Sequence, residues 1–251
     1  MFHKDERSVT GIFFQFLLFL GIFLSAYFIF VIMGSALGVF IYQPEESVLG
    51  NYQPDENCPV FVIDPGHGGM DGGAIADDGT CEKDLNLSFS LRLGDYLESA
   101  GAKVVFTRTE DIMLEYPGAP TKKSGDVMRR VLIAKEHPEA VFVSIHMNKF
   151  PQTQYRGLQV FYSDNHKESE KIAGKIQENV IHYLQQENQR EAKSVGNEIF
   201  VLDRLQSPAV LIECGFLSNP DELKLLQNDV YLSRLAFIVA HSLLSQRCEA
   251  E

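Results

Sequence analysis

The sequence contains few cysteines and a deficit of basic residues. Its 251 residues include only 4 Cys, too few for a fold built mainly on disulfides. None of them forms a C-x-x-C pair, which argues against a structural zinc knuckle: they are Cys58, Cys81, Cys214 and Cys248. The 22 Lys and Arg stand against 34 Asp and Glu, a formal net charge of −12. This balance argues against nucleic acid as a partner, because phosphate contacts need a basic surface.

Charged side chains are also missing from residues 11–42. Within this segment, residues 12–33 are nearly all apolar, and as a helix they would span about 33 Å, enough to cross the hydrocarbon core. The apolar part of a cleavable signal peptide is shorter, about 7–15 residues. The small residues 34–36 could nevertheless form the cleavage site of a signal peptide. We therefore predict a single transmembrane helix, or a signal segment, within residues 1–42.

The distribution of cations predicts the orientation of this segment. Lys4 and Arg7 precede it, and no Lys or Arg follows until Lys83. Because cytoplasmic flanks are enriched in Lys and Arg, we expect the short N-terminus inside and the rest of the chain outside. Residues 43–57 are polar and contain two prolines, which is typical of a linker.

From residue 58 onward, short apolar runs alternate with segments of helical periodicity. The predicted strands are 60–63, 103–106, 140–145, 157–162 and 209–212, and the predicted helices are 85–100, 127–135, 172–184, one beginning at 220, and 232–244. At the helix that begins at Pro220, Asn219 is a predicted N-cap and Glu222 is placed for a capping box. Alternating strands and helices predict one α/β domain over residues 58–251, with a mainly parallel sheet and helices on both faces.

Three polar residues end or follow separate predicted strands: His67, His146 and Glu213. The carboxyl ends of parallel strands meet at one sheet edge, where ligands bind. Glu82 follows the glycine-rich loop after His67, and the loop is long enough to bring the two together. Two histidines and one carboxylate with an open fourth position make a catalytic zinc set, which activates water. A second carboxylate would then act as general base.

Each of these residues has a simpler interpretation. A histidine at a strand end is often only hydrogen-bonded within the fold. The glycine-rich loop could cradle phosphate, but it lacks the G-x-x-x-x-G-K pattern. Glu213 is harder to explain in this way, because an ionised carboxylate ending an apolar strand is costly without a partner. Cys81 and Cys214 adjoin candidate residues, but they are more typical of small buried apolar residues than of ligands.

Five segments, in this order, resemble the zinc-dependent N-acetylmuramoyl-L-alanine amidases of the amidase-3 family: VFVIDPGHGGMDGGA, CEKDLNLS, VVFTRTED, RRVLIAKEHPEAVFVSIHMN and SPAVLIECGFLSNPDELKLL. The resemblance extends over residues 60–245. It implies that His67, Glu82 and His146 bind one zinc ion per chain and that Glu213 is the catalytic glutamate. The family cleaves the amide between N-acetylmuramic acid and the L-alanine of the peptidoglycan stem peptide.

Two further residues are candidates for substrate binding. Arg108 ends a predicted strand at the same sheet edge and would hold substrate, although a structural role is an equal alternative. Asn148, two residues after His146, would position substrate or support a metal ligand. Both are predictions from position alone.

The layout of a short amidase behind a membrane segment most resembles the spore-cortex amidases of endospore-forming bacteria. These enzymes remove peptides from alternate muramic acids so that muramic-δ-lactam forms. The resemblance implies peptidoglycan as substrate and a single-pass protein of the bacterial cell membrane, with its catalytic domain on the extracytoplasmic side. The sequence does not decide whether the enzyme needs an activating partner protein. The alternatives are a zinc peptidase that acts within the stem peptide and an inactive peptidoglycan-binding module.

Overall fold

The structure is a computed structural model that describes residues 19–21, 23–25, 27 and 58–248. The chain divides into two units, residues 1–54 and 55–251. The few described residues of the first unit are helical and exposed. None of the described helices is long and apolar enough to cross a membrane. Apart from those few residues, the predicted anchor and linker lie outside the described part of the chain, and both stay predictions.

The second unit is built on a six-stranded sheet with the order β2-β1-β3-β6-β4-β5. The strands are β1 (Val60–Pro65), β2 (Lys103–Phe106), β3 (Val141–Asn148), β4 (Gln159–Tyr162), β5 (Lys193–Ser194) and β6 (Ala209–Phe216). Neighbouring strands run parallel except β4 and β6, which are antiparallel. The predicted α/β class is therefore confirmed, and the sheet is mixed rather than wholly parallel.

The described residues of this unit also form six helices: α1 (Glu82–Ser99), α2 (Lys122–Lys135), α3 (Lys167–Tyr183), α4 (Phe200–Asp203), α5 (Pro220–Leu226) and α6 (Asp229–Cys248). The apolar residues of α1, α3 and α6 share one buried cluster, whereas those of α2 and α4 belong to a second cluster. Alternation along β1 separates the two clusters, because Phe61 and Ile63 join the first and Val62 joins the second. The central strands are thus buried on both faces.

Two predicted strands continue further than their apolar runs. β3 extends to Asn148 and β6 extends to Phe216, so His146 and Glu213 lie inside paired strands rather than after them. Helix α2 begins at Lys122 instead of residue 127, because Thr121 and Ser124 form a capping box ahead of the apolar periodicity. The short elements β5 and α4 were not predicted.

The predicted cap of α5 is correct in part. Asn219 accepts hydrogen bonds from the backbone N–H groups of Asp221 and Glu222, and Pro220 opens the helix. The capping box is wrong, because the Glu222 carboxylate accepts from the backbone N–H groups of Gly157 and Phe216, each at 2.7 Å. Burial raises the pKa of Glu222 against the opposing effect of these bonds. Glu222 therefore ties the end of β6 to the loop before β4.

Candidate metal centre

The central strands bring the candidate residues to one edge of the sheet. His146 on β3 is directly paired with Glu213 on β6. Pro65, the last residue of β1, is paired with Ile145, and His67 follows two residues later. The predicted convergence at the carboxyl ends of parallel strands is thus present in the structure.

Glu82 joins the two histidines at the start of α1. Its Oε1 atom lies 2.8 Å from His146 Nδ1 and 3.3 Å from His67 Nε2. The imidazole rings meet edge to face with centroids 5.0 Å apart. Each of the three residues offers one ligand atom, and these three atoms all lie within 4.8 Å of one another.

The electrostatics of Glu82 keep it ionised despite its burial. Burial alone would raise the pKa of the carboxyl group, but the hydrogen bonds and charges of His146 and His67 hold it well below the ordinary value. Backbone N–H groups add to this, because Ala74 donates to Oε2 at 2.8 Å and Met147 donates to Oε1 at 3.2 Å. Two imidazoles and an ionised carboxylate form a donor set that fits zinc.

Glycines in the loop after β1 make this close approach possible. A Cβ atom on Gly73 would lie 2.6 Å from Glu82 Oε2 and 2.8 Å from His67 Cδ2, and one on Gly66 would overlap the ring of His146. His67 itself has a φ of 60°, which is unusual for a residue other than glycine. The glycines therefore provide room around the ligand side chains, which explains the loop composition without a bound phosphate.

Asp71 orients His67, and sequence analysis missed it. Its Oδ2 atom lies 3.0 Å from His67 Nδ1. A hydrogen bond there places the proton on Nδ1 and leaves Nε2 unprotonated to bind a metal. Burial would lower the pKa of His67, but Glu82 and Asp71 raise it. The acidic residue four positions after the histidine, in a loop otherwise made of glycine and Met70, was the available signal.

A buried ionic network holds the backbone beneath His67. Arg130 on α2 donates to the His67 carbonyl at 2.6 Å and to the Pro65 carbonyl at 2.7 Å. It also forms ion pairs with Asp64 at 2.6 Å and Asp126 at 2.8 Å. Burial would raise the pKa of Asp64, but the guanidinium of Arg130 lowers it. This network, which sequence analysis also missed, supports the unusual conformation of His67.

Glu213 faces the centre without a protein partner for one oxygen. Among the described residues, none hydrogen-bonds its Oε2 atom, which is buried. Burial raises its pKa to about 7, with the charge of Glu82 adding to the effect and that of His146 opposing it. A buried acceptor without a protein partner is available to water, an ion or a ligand. A carboxyl group that titrates near neutrality suits a general base that later returns its proton.

The two residues predicted to bind substrate have different surroundings. Arg108 is only 3% exposed, and its guanidinium donates to the carbonyls of Pro65, Gly66, Lys83 and Glu110. These contacts give Arg108 a structural role in the loop and lend no support to substrate binding. Asn148 is half-buried at the end of β3, where its carbonyl accepts from Leu217 N–H. The role of its side chain stays a prediction.

Comparison with known proteins identifies the family. The model of the N-acetylmuramoyl-L-alanine amidase family (amidase-3) matches residues 61–245. The chain belongs to this family. The resemblance seen in the sequence is therefore confirmed, and the amidase domain includes all four residues of the centre.

Individual relatives agree with this assignment. The germination-specific N-acetylmuramoyl-L-alanine amidase of Bacillus subtilis is 32% identical over 219 residues, covering 85% of this amidase chain and 91% of the relative. The amidase AmiA of Escherichia coli is 26% identical and aligns over 74% of this chain and 75% of its own. The solved CwlD amidase from Clostridioides difficile, in complex with the GerS lipoprotein, has a TM-score of 0.72 and 34% identity, covering 77% of this chain and 100% of that one.

Proposed function

We propose that the protein is a zinc-dependent N-acetylmuramoyl-L-alanine amidase that binds one zinc ion per chain through His67, Glu82 and His146. The observation that carries this proposal is the cluster of these three side chains, with Glu213 paired beside it, in a member of the amidase family. The substrate is the amide between N-acetylmuramic acid and the L-alanine of the stem peptide.

The chain's own residues prepare and complete the hydrolysis. When bound, zinc supplies Lewis acidity, which polarises the scissile carbonyl and acidifies a water molecule. His67 is held for this role by Asp71 through Nδ1 and by Arg130 through its carbonyl. Glu82 keeps its negative charge because the neighbouring imidazoles and backbone N–H groups stabilise it.

Glu213 transfers the proton. Its carboxylate takes the proton of the attacking water as the new C–O bond forms at the muramoyl carbonyl. The same carboxyl group then protonates the alanine nitrogen as the C–N bond breaks, which releases the muramoyl carboxylate and an amino-terminal L-alanine. In the zinc-free protein, burial raises the pKa of Glu213 to about 7, and a carboxyl group in such surroundings can accept a proton and later return it.

Digestion of purified peptidoglycan tests the activity. The full chain in detergent, supplied with zinc, is incubated with the polymer beside Glu213→Gln and a matched control, Glu178→Gln, which alters an exposed residue of α3. We expect wild type and Glu178→Gln to release intact stem peptides that begin with L-alanine, seen by mass spectrometry. Shortened peptides still attached to glycan would instead indicate a peptidase. Binding without products from any variant would indicate a missing activating partner or an inactive module.

The cellular setting is spore-cortex maturation, in which removal of stem peptides precedes formation of muramic-δ-lactam. Support comes from the similarity to the germination-specific amidase and from the uncharged apolar segment at residues 12–33. The chain is a single-pass protein of the bacterial cell membrane with its amidase domain on the extracytoplasmic side. Membrane fractionation and protease accessibility of intact cells test this placement, and a protein released into the medium would contradict it.

A protein partner that activates the enzyme belongs to the same proposal. The similar CwlD amidase was solved in complex with a lipoprotein, GerS. Purification of this chain from sporulating cells under mild detergent, followed by mass spectrometry, would reveal such a partner. Full activity of the chain purified alone would argue against a required activator.

A further inference from the structure

A cavity of about 310 Å³ opens beside the metal centre. Both histidines and Asp71 line it. Further lining residues come from α2, from α4 and from the segment that leads into α4, including Lys123, Arg130, Glu198 and Phe200. Because it includes two proposed metal ligands, a substrate arm that reaches the reacting carbonyl can occupy it.

The two cations that line this cavity differ in their freedom to bind a ligand. Arg130 is 3% exposed, and its donors are engaged by Asp64, Asp126 and two backbone carbonyls. The side chain of Lys123 is 71% exposed, and its ammonium lies 3.5 Å from Asp71 Oδ2. The same oxygen makes the shorter contact with His67, at 3.0 Å. Among the described lining residues, Lys123 is therefore the cation that can turn toward a ligand.

Lys123 is also close enough to the reacting centre to contact the beginning of the stem peptide. Its ammonium and the ring of His67 contact the same oxygen atom of Asp71. An extended chain advances about 3.5 Å per residue, so a group on the second stem residue lies roughly 7 Å from the scissile amide. The long flexible stem of lysine covers the remaining gap. In peptidoglycan this second residue is a D-glutamate joined through its γ-carboxyl group, and its α-carboxyl group is either free or amidated.

We propose that Lys123 is a specificity-determining residue that binds the free α-carboxylate of the second stem residue. This inference rests on the proposed amidase activity. Glu198 lines the α4 side of the same cavity and disfavours a carboxylate there, which directs the anionic group toward α2. Because the chain has a formal net charge of −12, it repels an anionic substrate, and a local cation offsets this repulsion at the binding site.

The test compares two muropeptides with the same glycan and stem that differ only in the D-glutamate α-carboxyl group, present as carboxylate or as carboxamide. The full chain with zinc is expected to cleave the carboxylate form with a kcat/KM about fivefold higher, with most of the difference in KM. Lys123→Met removes the preference, and Lys123→Arg retains it. Added salt weakens the preference, because the ammonium is exposed.

Lys122→Met is the matched control. It makes the same substitution at the preceding residue of α2, but the Lys122 ammonium contacts Met70 Sδ at 3.9 Å and the residue lies outside the cavity. The control is expected to keep the wild-type preference. Equal cleavage of both substrates by wild type, or an unchanged preference in Lys123→Met, would overturn this inference alone. Cleavage of neither substrate, even after addition of a partner protein copurified from sporulating cells, would overturn the amidase proposal and this inference with it.

Discussion

Removal of the Asp71 carboxylate should weaken zinc binding without unfolding the protein. Asp71 is 3.0 Å from His67 Nδ1, and this contact fixes which ring nitrogen is free for the metal. Loss of such a partner typically lowers metal affinity by about 10- to 100-fold. Because the Asp71 side chain is 21% exposed, water partly replaces the lost bond, and we expect Asp71→Ala to fall at the lower end. That is about tenfold, or about 1.4 kcal/mol.

The assay is competition for zinc between the full chain and a chelating dye, with the melting temperature of the metal-free protein measured in parallel. Asp71→Asn should give a smaller loss than Asp71→Ala, since its amide oxygen can still accept the proton of Nδ1. Asp77→Ala is the matched control, because Asp77 lies in the same loop with a fully exposed side chain. A zinc affinity of Asp71→Ala within twofold of wild type would refute the orienting role of Asp71.

Three other predictions concern the same centre. Glu213→Gln should lower kcat by about 10²- to 10⁴-fold while zinc affinity changes less than threefold, and equal turnover would remove Glu213 from the mechanism. In zinc-free protein, the pKa of Glu213 is about 7 in the folded state, above its ordinary value of 4.5. The folded state therefore binds this proton more tightly than the unfolded state does, and the free energy of unfolding falls as the pH rises through this range. Urea unfolding should therefore show wild type falling relative to Glu213→Gln between pH 5 and 8 by up to about 3 kcal/mol, and a pH-independent difference would contradict this. Gly73→Ala should weaken zinc binding more than Gly79→Ala, because both glycines have positive φ but only at Gly73 would a Cβ collide with Glu82; equal zinc affinities would contradict the steric argument.

Much of the fold could be predicted because its signals are local. The apolar runs at β1, β2 and β6 and the periodicity of α1, α3 and α6 each depend on neighbouring residues in the chain. Element ends were less predictable. β3 and β6 extend past their apolar runs because pairing between His146 and Glu213 continues the sheet where hydrophobicity stops.

The sequence by itself determined which residues could perform the chemistry. His67, His146 and Glu213 were identifiable because each comes at or just after an apolar strand, and parallel strands must end at a common edge. The length of the glycine-rich loop allowed Glu82 to join His67, and the family resemblance then implied the same ligand set. None of these inferences required knowledge of a side-chain conformation.

Only the tertiary structure decided how these residues are held. Asp71 and Arg130 support His67, whereas Arg108 is bound to backbone carbonyls, although all three are charged residues near the same edge. Likewise, Glu222 stands at a capping-box position but binds the backbone of Gly157 and Phe216. The physical reason is that a charged side chain pairs with whichever buried group lacks a partner nearby in space, and sequence spacing does not specify that group.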